Sequence, residues 1–263
     1  MTSIAPTLTN AQVLYDSAFY RYRTLLTYDG AVVSGFEPAN ICDWRDFTIF
    51  RVGVAGTVHL KIQLAADTTF DCAQVWCPPS GANGATITFQ TSPDNAAWTT
   101  RATFTPDATG TILWTDFTSV TMLATQWIRF TIVATGVSDF RQLSAGPKLM
   151  FPIGQWMGVA PPQLLSGLVL NNVIAVNGSI LGRDYRRLEK KGEFSLTHLS
   201  QSWVRTYWDI FAQHAARRAF WWRWNPTDYP NEIAFAAAEN IEAPTNDRPP
   251  PLMRAGLPIR FLT

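Results

Sequence analysis

The chain has 263 residues, of which 47% are hydrophobic and 16% are charged. This composition supplies enough apolar side chains for folded cores and excludes an intrinsically disordered chain. The 21 basic and 20 acidic residues leave a net charge of +1, which argues against a protein that follows nucleic-acid phosphates with a basic surface. We expect no nucleic-acid partner and no membrane span, and the N-terminus lacks the pattern of a signal peptide, which predicts synthesis in the cytoplasm.

The first part of the chain, residues 1–145, has the pattern of an all-β domain. Apolar and polar residues alternate with period two over 58–64, 85–91 and 127–133. Clusters of Pro, Gly, Asn and Asp separate these runs and predict turns. Short strands at this spacing predict a β-sandwich, because each half-apolar sheet must bury one face on another sheet.

A linker or connecting arm is expected over residues 146–163, where glycine and proline residues interrupt the alternation. The net charge changes where this stretch begins, from −3 over residues 1–145 to +4 over residues 146–263. We therefore predict a sandwich over 1–145 that begins with an arm over 1–20, then the linker, then a second domain over 164–263.

The second domain is predicted to have the order β-β-β-α-β-β-β. Asn177-Gly178 is the strongest signal for a two-residue hairpin turn, since both positions favour positive φ. Ser200 or Ser202 is expected to cap one helix that runs to about Arg217 with an apolar stripe on one face. Strands are expected at 168–176, 179–188, 193–199, 219–224, 232–240 and 252–262.

No catalytic, metal or cofactor site is predicted. The chain lacks a nucleophile elbow and both glycine-rich phosphate-binding motifs. The odd number of cysteines favours buried thiols over a disulfide framework, and the separated histidines favour structural roles. These residues are Cys42, Cys72 and Cys77, and His59, His198 and His214. We therefore expect a protein that is not an enzyme and needs no cofactor.

Two stretches of the second domain are candidates for an assembly interface. In the aromatic strand 220–224, Trp221 and Arg223 face one way; they fit either a protein–protein interface or a strand buried on both sides. A basic run on the predicted hairpin fits either an acidic neighbouring subunit or a solvated strand edge. Its candidate interface residues are Arg183, Arg186 and Arg187.

The segments 84–99 and 124–130 are similar to two segments of discoidin-like (F5/8 type C, galactose-binding-like) β-sandwiches. The first carries a strand followed by Ser92, Asp94 and Trp98, with Asn95 where that family usually has glycine. The resemblance covers about residues 40–145. It implies a jelly-roll sandwich that often binds glycans through its loops.

If the sandwich binds glycan, the loop from Trp76 to Gly84 is the expected site. Trp76 offers an aromatic surface for stacking on a sugar ring, and Asn83 offers amide hydrogen bonds to hydroxyls. The alternative is that Trp76 points inward and belongs to the core.

The second domain resembles tail proteins of long-tailed bacteriophages, in the tail-tube and distal-tail lineage. The resemblance rests on the hairpin at Asn177-Gly178, the single helix with Trp203 and Trp208, the aromatic strand 218–226 and the closing strand 258–261. It implies a ring of copies, six-fold in that lineage, with other tail proteins as partners and the virion tail as location. In the usual distal-tail arrangement the belt domain comes first, whereas here the sandwich precedes it.

These observations predict a mainly β protein with an N-terminal jelly-roll sandwich and a belt-like C-terminal domain with one helix. The leading functional hypothesis is a non-catalytic structural protein of a bacteriophage tail or tail tip, which assembles as a ring and binds host glycan. The alternative is a carbohydrate-binding module of a glycan-processing system.

Overall fold

The computed structural model describes residues 10–43, 45, 47–79, 81–82, 84–109, 112–152, 168–176, 179–187, 191–247 and 251–262. This part of the chain is mainly β, with several antiparallel sheets and one longer helix, which confirms the predicted fold class. None of its helices has the length and apolar character needed to cross a bilayer.

The secondary-structure elements alternate with short turns along most of the chain. The earlier strands are β1 (Gln12–Leu14), β2 (Thr27–Asp29), β3 (Phe50–Val52), β4 (Gly56–Gln63), β5 (Thr68–Trp76), β6 (Thr86–Ser92), β7 (Thr99–Phe104), β8 (Ile112–Met122), β9 (Trp127–Ala134), β10 (Ser138–Phe140), β11 (Gln142–Gly146) and β12 (Lys148–Met150). The later strands are β13 (Leu168–Ile174), β14 (Ile180–Arg187), β15 (Lys191–Ser200), β16 (Phe220–Arg223), β17 (Ile233–Ala238), β18 (Thr245–Asn246) and β19 (Leu252–Phe261). The helical segments are α1 (Ala18–Arg21), two 3-10 turns (Arg23–Leu25 and Pro38–Cys42), α2 (Gln201–Trp203), a π-helical stretch (Val204–Trp208) and α3 (Asp209–Ala215).

The sandwich consists of a five-stranded sheet with the order β2-β4-β9-β6-β7 and a three-stranded sheet with the order β11-β5-β8. A separate pair, β3 and β10, closes one side. The three alternating runs of the sequence form β4, β6 and β9, the centre of the larger sheet. Their inward residues Leu60, Phe89 and Phe130 are fully buried in the core between the sheets. This burial of alternate residues stabilises the pairing register, because a slip by one residue would turn polar side chains inward.

The C-terminal sheet has the order β12-β1-β16-β17-β19-β15, with β18 paired to β19. Two of its strands come from segments predicted to be connections: β1 from the N-terminal arm and β12 from the linker. They pair with each other, and β1 also pairs with β16. Val13 and Leu149 are buried there. Both strands have three residues, too few to show a period of two, so the sequence pattern did not reveal them.

The predicted helix covers one face of the C-terminal sheet. The Ser200 hydroxyl oxygen accepts a hydrogen bond from the Trp203 backbone N–H at 3.2 Å, as expected of an N-cap. The apolar stripe includes Trp208 and Phe211, which are fully buried. The Phe211 ring lies 5.2 Å, edge to face, from the ring of Phe220 on β16. The helix and the sheet thus share a second hydrophobic core.

The other face of the C-terminal sheet packs against the outer face of the three-stranded sheet. The side chains between the two sheets are mostly apolar and form a third core of Leu14, Cys72, Trp76, Trp221, Ile233 and Phe235. At its edge, buried Asp16 accepts a hydrogen bond from the Arg21 Nε and lies 3.5 Å from an Arg218 nitrogen. In the described part of the chain, the outer face of the five-stranded sheet is therefore the sheet face of the sandwich that no other sheet covers.

Candidate functional site

The described residues form no cluster of metal-ligating side chains, and their cysteine thiols are poorly reactive. No group of three or more His, Cys, Asp and Glu side chains lies close enough to hold a metal ion in this part of the chain. All three cysteines are buried and unpaired with one another. Burial raises the pKa of the Cys42 thiol to about 12, and it raises the pKa of Cys72 and Cys77 as well, so these thiols stay protonated and are poor nucleophiles.

The structure places Trp76 between the sandwich and the C-terminal sheet, where only 6% of its surface is exposed. Its ring lies 5.9 Å from that of Trp221 and 6.1 Å from that of Phe235, and the Arg141 guanidinium lies 4.9 Å from its centroid. A ring surrounded in this way has no free face for a sugar, which agrees with the core alternative for Trp76. Asn83 lies outside the described residues, and its contribution to a glycan site stays a prediction.

Trp221 and Arg223 join the two halves of one chain. Trp221 is 2% exposed and its indole N–H donates a hydrogen bond to the Ser144 hydroxyl at 3.1 Å. The Arg223 guanidinium lies 3.2 Å from an Asp116 carboxylate oxygen on β8. On the opposite face of β16, Trp222 is also buried. The strand is therefore buried on both sides, and these two residues are not free to contact another subunit in this arrangement.

Arg183, Arg186 and Arg187 lie on β14, which pairs with β13 in a separate two-stranded sheet. Their backbone partners on β13 are Asn172, Val169 and Leu168. Their side chains lie outside the described part of the structure. A role of these arginines in assembly stays a prediction.

The remaining outer face of the sandwich carries a polar surface that the sequence analysis did not single out. Alternate residues of three adjacent strands point outward: His59 and Lys61 on β4, Arg129 and Thr131 on β9, and Gln90 on β6. We call these five residues the polar sheet face. All are half-buried, although no other described element covers them. These side chains therefore bury part of one another's surface and form a connected polar layer on the sheet.

Gln90 is the centre of this layer. Its side-chain oxygen accepts hydrogen bonds from Arg129 Nε at 2.6 Å and from the Thr131 hydroxyl at 2.9 Å. Its amide nitrogen donates to the Thr100 hydroxyl at 2.9 Å. These three bonds define which end of the amide faces which neighbour, since only the oxygen can accept and only the nitrogen can donate.

The same network assigns the proton of His59. His59 Nδ1 lies 2.9 Å from the Thr131 hydroxyl oxygen, whose single hydrogen is already donated to Gln90. Nδ1 must then carry the proton and donate. Burial lowers the pKa of His59, and the charges of Arg129 and Lys61 lower it further, so the ring is neutral near pH 7. Its Nε2 is left as a hydrogen-bond acceptor.

Arg129 is held against an aromatic ring. Its guanidinium carbon lies 3.9 Å from the centroid of the Trp98 ring, close enough for a cation–π contact. Its Nε is used by Gln90, and its two terminal nitrogens have no hydrogen-bond partner among the described residues. No described carboxylate lies within 4.0 Å of them. Gln90 and Trp98 thus orient the guanidinium, and its terminal N–H groups can donate hydrogen bonds to a ligand.

A tight turn between β6 and β7 places Trp98. The Asp94 carboxylate accepts hydrogen bonds from the backbone N–H groups of Ala96 and Ala97, both at 2.9 Å, which lower the pKa of Asp94. Asn95 has a φ of +62°, the left-handed conformation that glycine or asparagine tolerates best. The part of the discoidin-like segment over residues 93–98 is therefore the turn that connects β6 to β7, and it positions the Trp98 ring against Arg129.

The polar sheet face offers both donors and acceptors on a nearly flat surface beside an aromatic ring. Arg129 and Lys61 supply N–H donors, His59 Nε2 supplies an acceptor, and Trp98 supplies apolar surface. The only sequence signal for it was the polar half of each alternating strand, which is equally typical of a solvated sheet. The cross-strand register was needed to bring these residues together.

Comparisons with known proteins gave structural matches only. No protein-family model and no curated protein matches the chain. Chitosan-binding module 1 of a chitosanase/glucanase from Paenibacillus sp. IK-5 is 18% identical, with 46% of this chain and 93% of that chain covered and a TM-score of 0.38.

Two further matches are also carbohydrate-binding modules. CpGH89CBM32-5 from Clostridium perfringens, solved with GalNAc-β-1,3-galactose, is 18% identical over 46% of this chain and 94% of that one, with a TM-score of 0.37. The CBM32 of AlyQ, solved with 4,5-unsaturated mannuronic acid, is 16% identical over 50% and 95%, with a TM-score of 0.38. At these identities and TM-scores the likenesses carry no functional argument. Nothing in the comparisons supports the bacteriophage-tail resemblance.

Proposed function

We propose that the chain is a non-catalytic carbohydrate-binding protein that holds glycan on the polar sheet face of its N-terminal sandwich. The observation that carries the proposal is the arrangement of Gln90, Arg129 and Trp98: a guanidinium fixed between an amide and an indole, whose terminal N–H groups have no hydrogen-bond acceptor among the described residues. Sugars present hydroxyl groups that both donate and accept, beside apolar C–H surfaces, and this face has a counterpart for each.

Pre-organisation supports the same proposal. The side chains of the polar sheet face already hydrogen-bond to one another across three strands, so few rotamers need to be fixed when a ligand arrives. The core of the sandwich lies directly beneath, and the strands are paired along their whole length. A rigid sheet of this kind positions binding groups more closely than a loop does.

The test is binding of the full chain to an array of oligosaccharides, repeated with Trp98→Ala. We expect the purified chain to bind a subset of glycans and Trp98→Ala to weaken that binding about tenfold or more, because loss of the indole frees the guanidinium. Phe47→Ala is the matched control, since Phe47 is an aromatic residue 75% exposed on a loop of the same sandwich. Absence of binding to any glycan would overturn the proposal.

A second candidate function is a structural subunit of a virion tail, and the β13–β14 hairpin supports the self-association that this function requires. This hairpin pairs with no other described strand. Its exposed apolar residues are Val173, Ile174, Val176 and Leu181. An apolar hairpin that is left open to water is typical of a surface that contacts another chain.

Self-association tests this second candidate. Sedimentation of the full chain should show ring-sized assemblies, and charge reversal at Arg186 and Arg187 should reduce them while the melting temperature stays unchanged. Charge reversal at Arg205, which lies exposed on the helix, is the control. A chain that stays monomeric at high concentration would argue against the structural-subunit function.

A further inference from the structure

The charges around the polar sheet face are unequal. Its cations are Lys61 and Arg129, which face each other across β4 and β9, and its nearest acid is Asp29 on β2. Asp29 is already engaged: its carboxylate lies 2.8 Å from Lys61 Nζ and accepts a hydrogen bond from the His59 backbone N–H at 3.1 Å. Arg129 is left without a carboxylate partner among the described residues.

Elsewhere in the same sandwich, an arginine on the surface of a sheet has such a partner. Arg51 and Asp139 form a two-pronged ion pair, with Nε at 2.6 Å and one terminal nitrogen at 2.8 Å from the two carboxylate oxygens. The Arg51 guanidinium also lies 4.4 Å from the centroid of the Phe36 ring. Arg129 also lies against an aromatic ring, but its Nε donates to the amide oxygen of Gln90, whereas the Nε of Arg51 donates to a carboxylate oxygen. The terminal nitrogens of Arg129 have no carboxylate acceptor among the described residues.

We propose that the polar sheet face selects acidic glycans, because a carboxylate on the sugar completes the ion pair that Arg129 lacks among the described residues. This inference rests on the proposed function. The carboxylate would accept from the two terminal nitrogens of Arg129, a planar pairing that guanidinium groups form with carboxylates. The adjacent Lys61, whose charge is balanced by Asp29, keeps further N–H donors for the sugar, and the neutral His59 can accept a hydrogen bond from a hydroxyl of the same sugar.

The proposal commits to a carboxylate carried by a sugar ring. Two classes of sugar carry this group: uronic acids, which occur within polysaccharide chains, and the nine-carbon sialic acids, which occur at the ends of glycans. Sulfated glycans carry a tetrahedral anion instead, which can also bond to two guanidinium nitrogens, so the test includes one to separate a carboxylate from other anions. A neutral sugar leaves the open donors of Arg129 bonded to water.

The experiment compares an acidic sugar with its own ester and with two other anionic sugars. Calorimetric titration of the full chain would use an oligogalacturonide, its methyl ester, a sialylated oligosaccharide and a sulfated oligosaccharide of similar length. We expect the acid to bind about tenfold or more tightly than its ester, with the difference shrinking as salt is raised. Tighter binding of the galacturonide or of the sialylated sugar identifies the source of the carboxylate.

Variants locate the effect at Arg129. Arg129→Gln should bind the acid and the ester equally, and Arg129→Lys should keep only part of the preference, because an ammonium group lacks the fork. Arg101→Gln is the control, since Arg101 lies on the neighbouring β7 and its Nε bonds to Thr91. The melting temperature of each variant is checked first, and the comparison of ligands on the unaltered chain does not depend on the variants.

The outcomes separate the two proposals. Equal binding of acid and ester, or preference for the ester or for the sulfated sugar, overturns the acidic selectivity and leaves glycan binding in place. A preference for the acid that Arg129→Gln retains overturns the role of Arg129. Absence of binding to every oligosaccharide overturns the proposed function itself.

Discussion

At the scale of single residues, tryptophan has two different roles in this chain. Trp76, Trp221 and Trp222 are buried, and each contacts other aromatic rings. Trp98 is half-buried and supports a guanidinium on an open face. Sequence alone could not separate these roles, because Trp76 and Trp98 both stand beside a polar turn. What distinguishes them is which sheet face each ring lies on and whether another sheet covers that face.

Trp76→Ala tests the core assignment. Removing a large buried aromatic residue leaves a cavity between the two sheets, so the free energy of unfolding should fall by about 3–5 kcal/mol. Chemical denaturation of the full chain measures it. Phe47→Ala, on an exposed loop, should change it by less than about 0.5 kcal/mol. A Trp76→Ala chain of native stability that has lost glycan binding would instead restore the loop from Trp76 to Gly84 as the binding site.

At the scale of secondary-structure elements, the strands with clear alternation and the helix were predictable, because burial of one face imposes a period of two or of 3.6 on the sequence. The central strands β4, β6 and β9 follow this rule, and so does the capped helix that begins after Ser200. Strand β5 departs from it: residues 72–76 are buried on both faces because the C-terminal sheet covers the outer one. When a distant part of the chain buries the second face of a strand, the local sequence pattern does not reveal that burial.

The β6–β7 turn allows a test at the element scale. Asn95 occupies the left-handed region, where a side chain with a Cβ is strained and asparagine is tolerated better than alanine. Asn95→Ala should therefore lower the free energy of unfolding by about 1 kcal/mol, whereas Asn95→Gly should leave it nearly unchanged. Thermal and denaturant unfolding of the two variants measure the difference. Equal effects of alanine and glycine would mean that the turn does not hold this conformation.

At the scale of the whole molecule, the two halves share more than a linker. The C-terminal sheet recruits β1 and β12 from either end of the sandwich, and the face of Trp76 is buried against Trp221 and Phe235. Composition and charge indicated two regions, and the fold of each follows its pattern. The packing of one region on the other could not be predicted, since it depends on contacts more than a hundred residues apart. For the same reason the open face was identified only once the covered face was known.

The isolated sandwich provides a test of this packing. A fragment of residues 20–145 keeps most of the core between its two sheets, losing only Ala18 and Phe19 from it, and should unfold cooperatively. It also exposes Trp76 and the outer face of β5, so it should self-associate and be less stable than the full chain. Trp76→Gln should reduce the association of the fragment and destabilise the full chain. A monomeric fragment with the stability of the full chain would show that this face does not need its cover.

The central claim is that glycan binds on the polar sheet face, and the indole N–H signals of the full chain test it most directly. The chain has eleven tryptophans, and Trp98→Phe and Trp76→Phe identify the signals of Trp98 and Trp76 in a ¹H–¹⁵N spectrum. Addition of an acidic oligosaccharide should shift the Trp98 signal, because the ligand engages the guanidinium that lies 3.9 Å from its ring centroid, and should leave the Trp76 signal in place. A spectrum in which the Trp76 signal moves and the Trp98 signal does not would contradict the claim.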